Sequence, residues 1–175
     1  MVIVSVVRDS ILNATQKIIA QQNNCVTIKT HGLSEVIATK WTYANPYSCR
    51  KSRNRKEPNT KDIPGTISVC KSQLDSTLPT ILCLFAQYLP GKSGGWTHVY
   101  GEEDYKDSPH DRLNYFAQCL KEIESQKFDD IAIPYRIGCG LAGGRWTDYR
   151  KMLTNSTLNF TIYQTKEDHE KYGDP

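Results

Sequence analysis

Ile131-Ala132-Ile133-Pro134-Tyr135-Arg136-Ile137-Gly138-Cys139-Gly140-Leu141-Ala142-Gly143-Gly144-Arg145-Trp146 is the stretch from which the fold is read. An apolar run of strand character enters a loop with four glycines in seven residues, and residues 147–153 continue with helical spacing. Glycine permits positive φ and close backbone approach, so successive N–H groups can form an anion-binding nest, and a following helix N-terminus favours negative charge. The alternative is a tight strand-to-helix turn with no ligand. Four glycines exceed what turning the chain requires, so the loop reads as a phosphate cradle. No Gly-Lys-Ser or Gly-Lys-Thr closes it, which disfavours Walker-type ATP hydrolysis.

Working outward, residues 2–7, 25–28, 66–69, 81–85, 131–134 and 158–163 read as strands because they are short, apolar and rich in β-branched side chains. Residues 11–22, 33–41 and 111–126 carry helical spacing. The last is the clearest, with Leu113, Phe116, Leu120 and Ile123 on one face and Ser108-Pro109 as its start signal. Strands alternating with helices predict an α/β fold: a single three-layer α/β/α domain around a mixed, mostly parallel sheet. Residues 50–61 and 89–109 lack apolar periodicity and read as surface loops. The domain is assigned to residues 1–165, with 166–175 a polar, frayed tail.

A chain of 175 residues suits one domain, and 38% hydrophobic with 23% charged residues fits a soluble globular protein. Lys plus Arg number 22 and Asp plus Glu 19; the resulting +3 does not dictate a nucleic-acid partner, so any anion site must be local. The six cysteines lack paired zinc-ligand spacing, and several lie in apolar runs as buried thiols would, which predicts no metal and a reducing, cytoplasmic setting. Residues 1–8 lack signal-peptide character, and no apolar run approaches the length of a membrane span.

The segment from Gly138 to Trp146, after Ile133-Pro134, resembles the second ligand-binding loop of macrodomains. The similarity is to the phage-like and ADP-ribose 1''-phosphate-processing branch, related to the terminal ADP-ribose protein glycohydrolases. Asn24-Cys25, then His31-Gly32-Leu33-Ser34 and Ile37-Ala38, resemble the family's second strand and first ligand loop. Gly65-Thr66-Ile67 and Leu84-Phe85-Ala86-Gln87-Tyr88 resemble its central strands. The resemblance implies an ADP-ribose cleft at the carboxyl ends of the strands. Its contacts would be Gly32, Leu33 and Ser34 in the first loop and Gly138, Cys139, Gly140, Leu141, Ala142, Gly143, Gly144 and Arg145 in the second. An acidic side chain after the first strand would accept from the adenine amino group, which points to Asp9. A register aligned from Ile11-Leu12 points to Ser10, leaving Asp9 as an ordinary helix cap.

The same resemblance argues for binding over catalysis. The glycohydrolase branch has an aspartate where Ala142 stands and a lysine nucleophile near Gln87, while the phosphatase branch has a histidine where Gln21 stands. Asn24 and His31 remain as candidates to orient water, although a lone loop histidine is more often simply solvated. The implied partner is ADP-ribose or an ADP-ribosylated macromolecule, bound by a monomer without a cofactor.

A nucleic-acid module using Arg50, Lys51, Arg53, Arg55 and Lys56 is the competing class. An exposed solvated loop is the commoner meaning of such a run. Trp41, Tyr43 and Tyr47 read as packing for the 33–41 helix. Trp96 and Tyr100 read as a lid or a self-packed loop, and His98 and His110 carry little signal.

Overall fold

Residue-by-residue pairing joins six strands in one sheet: β1 (Val4–Val7), β2 (Ile18–Asn24), β3 (Ile67–Cys70), β4 (Thr80–Gln87), β5 (Ile131–Pro134) and β6 (Phe160–Tyr163). Their spatial order is β1-β6-β5-β2-β4-β3, parallel throughout except for β3, which runs antiparallel to β4. This computed structural model describes residues 4–50, 61–97 and 105–175. Among them are four helices: α1 (Leu33–Lys40), α2 (Pro109–Ser125), α3 (Trp146–Asn155) and α4 (Lys166–Tyr172).

Three layers follow from what each face buries. On one side, Phe116, Cys119, Leu120 and Ile123 of α2 and Tyr149 and Leu153 of α3 pack on Leu82, Leu84, Ile131 and Ile133. Phe116 meets Tyr149 edge-on at 4.9 Å between ring centroids, tying the two helices together. On the other side, Ile37 of α1, with Trp41 and Ala44 beyond it, covers Ile19, Ile81, Cys83 and Ala132. The start of α2 is fixed by a capping box, in which Ser108 Oγ accepts from Asp111 N at 3.1 Å and Asp111 Oδ2 accepts from Ser108 N at 3.0 Å.

Three sequence expectations are corrected. Residues 11–22 do not form a helix: a single 3-10 turn, Ile11–Asn13, leads into β2. Ile19 and Ala20 are buried between strands β4 and β5, with helices over both sheet faces, and long-range strand pairing overrides the local helical spacing. The expected strand at 25–28 is therefore the bend after β2, where Asn24 Oδ1 accepts from Val26 N at 3.1 Å and Thr27 N at 2.8 Å. The C-terminal segment is helical, capped by Thr165 Oγ1, which accepts from Asp168 N at 3.1 Å, and by Gly173 at φ +74°. Because α4 buries no residue, its sequence carries no apolar pattern that marks a helix.

All six cysteines are free thiols, and Cys25, Cys83, Cys119 and Cys139 are buried. Among the described residues no helix is long and apolar enough to cross a membrane, and no group of three His, Cys, Asp or Glu side chains could hold a metal. Residues 2–3 of the first expected strand, Lys51, Arg53, Arg55 and Lys56 of the basic run, and His98 and Tyr100 lie outside the described residues.

Candidate functional site

Strands β2 and β5 are neighbours, yet they pair only at Ile18 with Ile131 and Ile19 with Ala132. Beyond those positions β2 follows β4 and β5 follows β6, so the sheet splits toward the carboxyl ends of its parallel strands. Such a switch point is where open α/β sheets bind ligands. A cleft of about 450 Å³ occupies it, within the usual range for small-molecule sites.

The β5–α3 loop forms one wall. Its internal hydrogen bonds use the N–H groups of Ile137, Cys139, Gly143 and Gly144, which donate to Pro134, Arg136, Gly140 and Gly138 carbonyls at 2.8–3.2 Å. The N–H groups of Gly140, Leu141 and Ala142 have no acceptor among the described residues, and all three residues line the cleft. The glycines divide by role. A Cβ at Gly138 would stand 2.6 Å from Gln22 Oε1 and from Tyr149, and one at Gly144 would stand 2.6 Å from Gly138 O, so both close the turn over Tyr149. A Cβ at Gly140 meets nothing within 4 Å.

The opposite wall is the turn into α1. Gly32 caps that helix at φ +57°, and a Cβ there would come within 2.9 Å of Leu141 Cδ1, so the two loops face each other across a narrow gap. Ser34 Oγ donates to His31 O at 2.9 Å and accepts from His31 N at 3.2 Å, fixing the turn. His31, Leu33 and Ser34 line the cleft.

Strand order sets the two ends. Residues after β1 and β6 gather at one end: Ser10, Thr165, Asp168 and Tyr172. The Tyr172 ring lies 4.0 Å from the Arg136 guanidinium and 6.4 Å from the Tyr135 ring. Residues after β2 and β4 gather at the other: Asn24, Gln87, Pro90 and Gly91. There Gln22 Nε2 donates to Gln87 Oε1 at 2.9 Å and Gln87 Nε2 donates to Leu89 O at 2.8 Å.

Neither a protein-family model nor a curated protein matches the sequence. Solved structures do resemble it. The macrodomain of Mycobacterium tuberculosis DarG superposes with a TM-score of 0.60 at 16% identity, covering 94% of this chain and 99% of that one. The macrodomain of Thermus aquaticus DarG gives 0.59 at 16%, covering 93% and 98%. Thermosipho africanus DarTG in complex with ADP-ribose gives 0.52 at 12%, covering 94% of this chain and 42% of that one. The chain has the macrodomain fold.

Within this cleft the expected site residues separate. Leu33, Ser34, Gly138, Gly140, Leu141 and Ala142 line it together, and Gly32 sits against Leu141 at its edge. Cys139 is buried beneath them, with its Sγ 3.4 Å from Ile137 O, and burial pushes its thiol up to about 11. Gly143, at φ +72°, Gly144 and Arg145 face a second groove behind the loop. Arg145 is engaged by Asp148, with Nε and Nη2 each 2.9 Å from a carboxylate oxygen. Ser10 lines the cleft, whereas Asp9 accepts from Ser10 N at 2.6 Å and Asn13 Nδ2 at 2.8 Å outside it. Asn24 lines the cleft while its Oδ1 holds the backbone of Val26 and Thr27. Gln21 is buried in the other direction, its Nε2 3.4 Å from Ala44 O and from Cys83 Sγ.

Two arginines that brace this cleft are not evident from sequence as part of it. Arg50, counted with the basic run, is buried. It pairs with Asp62, donates to Thr27 O at 2.6 Å and to Asn24 O at 3.0 Å, and stacks 4.4 Å from the Tyr47 ring. Arg112 pairs with buried Asp107 and reaches the carbonyls of Gly91 at 2.7 Å and Ala142 at 3.1 Å. The signal for Arg112 was its position: it precedes Phe116, Cys119, Leu120 and Ile123 on the buried stripe of α2. Arg50 offered none, because its partner Asp62 lies across a loop.

Proposed function

We propose that this chain binds ADP-ribose, free or attached to a macromolecule, and does so without a cofactor. The observation that carries the reading is the row of unpaired N–H groups at Gly140, Leu141 and Ala142 opposite the Gly32-Leu33-Ser34 turn. Backbone donors held on both sides of a narrow gap suit a diphosphate, whose oxygens accept in every direction. The aromatic end, with Tyr172 stacked on Arg136, suits the base, and Asp168 or Ser10 there suits its amino group. The amide-rich end, with Asn24 and Gln87, suits the hydroxyls of the distal ribose. The likeness to Thermosipho africanus DarTG, solved in complex with ADP-ribose, supports the same ligand.

Binding is favoured over turnover. Hydrolysis needs a group able to deliver or accept a proton; the amides of Asn24 and Gln87 are neither acid nor base, which leaves His31 at the first turn as the one earlier candidate that turnover would rest on. The nucleic-acid reading loses ground because Arg50 is a buried brace.

Calorimetry with ADP-ribose, ADP-ribose 1''-phosphate, ADP and AMP tests the proposal. ADP-ribose is expected to bind near micromolar affinity, about −7 to −9 kcal/mol, with weak salt dependence. No binding at millimolar concentration, or turnover of ADP-ribose 1''-phosphate at many cycles per minute, would overturn it.

A further inference from the structure

Behind the second ligand loop lies another groove of about 450 Å³, walled by Leu113, Tyr149 and Pro109 and edged by Lys92, Arg145 and Asp148. It is separated from the ADP-ribose cleft by one thickness of loop. Ala142 lines both, and Gly91 lines the cleft while its neighbour Lys92 lines the groove. The Lys92 stem lies along the loop, its Cγ 2.9 Å from where a Gly143 Cβ would stand. This junction sits at the end of the cleft reached by the β4 loop, where the distal ribose would lie.

We propose that the groove receives an acidic polypeptide segment flanking the ADP-ribosylated residue; the inference rests on the reading of the cleft given above. The charges select the occupant. Arg145 is neutralised by Asp148 through two contacts of 2.9 Å, and Arg112 by Asp107. Lys92 makes no ion pair among the described residues, so the groove offers one uncompensated cation. One cation beside an apolar wall matches one carboxylate on a peptide whose other side chains pack on Leu113 and Pro109. A nucleic-acid strand would bring several phosphates past Asp148 with a single cation to meet them.

The test is calorimetry on the whole chain with four ligands: free ADP-ribose, a serine-ADP-ribosylated peptide flanked by glutamates, the same peptide flanked by lysines, and an ADP-ribosylated single-stranded oligonucleotide. The glutamate-flanked peptide is expected to bind about tenfold tighter than free ADP-ribose, as one charge-assisted hydrogen bond allows. Lys92→Met, which keeps the stem over Gly143, and Leu113→Trp, which fills the groove, should each remove that advantage and leave free ADP-ribose affinity unchanged. Free ADP-ribose binding with no dependence on the flanking residues overturns the groove alone. Failure of free ADP-ribose to bind overturns the cleft reading and this one with it. An oligonucleotide whose affinity falls with Lys92→Met while the peptides are indifferent would assign the groove to nucleic acid and also overturn the proposal.

Discussion

Arg112 Nη1 donates to the carbonyl oxygen of Ala142 at 3.1 Å, so a residue buried on α2 holds the loop that leads from β5 into α3. The same guanidinium reaches Gly91 O and Leu89 O and pairs with Asp107, whose Oδ1 also accepts from Tyr88 N at 2.8 Å. Arg112→Leu would strand a buried carboxylate, at an expected cost of about 3–5 kcal/mol in urea unfolding. Arg112→Leu with Asp107→Asn should recover a large part of it. A single-variant loss below about 1 kcal/mol would mean that the pair is not desolvated.

The glycines of the loop should respond in two distinct ways. Gly140→Glu has room for its side chain and should leave unfolding unchanged while abolishing ADP-ribose binding, because it adds a carboxylate beside the cradle. Gly144→Ala forces a methyl against Gly138 O and should cost about 1–3 kcal/mol of stability. Thermal melts and calorimetry on both proteins separate the effects. A folded Gly140→Glu variant with undiminished affinity would remove the cradle from the site.

At the base end, Asp168→Asn and Tyr172→Ala are expected to weaken ADP-ribose by about 1–3 kcal/mol and to narrow the preference for adenine over hypoxanthine ligands. Ser10→Ala should have a smaller effect. Asp9→Ala should change stability by a few tenths of a kcal/mol and leave affinity alone, since its carboxylate serves the turn before β2. Titration of each variant with ADP-ribose and its inosine analogue checks this. A dominant loss from Asp9→Ala would return the adenine contact to the sequence-based assignment.

Stability should fall on the alkaline side. Burial holds the thiols of Cys25, Cys119 and Cys139 above their ordinary value, and the Cys70 hydrogen bond with burial does the same for Cys83, so the folded chain keeps four protons that the unfolded chain sheds. Below about pH 8.5 both states are protonated and the contribution is intact. As pH rises through that ordinary value each group costs about 1.4 kcal/mol per pH unit until its folded pKa is reached. Cys70, lowered to about 7 by its Cys83 and Ser68 hydrogen bonds, works in the opposite direction between about pH 7 and 8.5. Urea midpoints at half-unit steps from pH 7 to 10 should show the decline, and Cys25→Ala with Cys119→Ala should flatten it. An equally steep decline in that double variant would assign it elsewhere.

The elements readable from sequence were those whose information is local. The apolar run of β5 needs no partner to be recognised, and the Ser108 cap and stripe of α2 announce themselves in consecutive residues. The failures share a different cause. Residues 11–22 have helical spacing, and only the burial of Ile19 and Ala20 between distant strands makes the second half a strand. The C-terminal helix hides its place at the cleft because Asp168 and Tyr172 lie on an element with no buried residue. Gly138 and Gly144 were legible as a cradle, but their separate role, passing over Tyr149, depends on a helix position no local pattern encodes.

The short pairing of β2 with β5 has a mechanical consequence. With register only at Ile18–Ile131 and Ile19–Ala132, the sheet is two three-stranded leaves bound along a brief spine, and the Gly32-Leu33-Ser34 turn belongs to one leaf while the β5–α3 loop belongs to the other. A molecule lodged between Gly32 and Gly140 acts as a strut across the open margin. Ligand would therefore resist the parting of the leaves, so pulling the chain apart across this seam should demand more force when the cleft is filled.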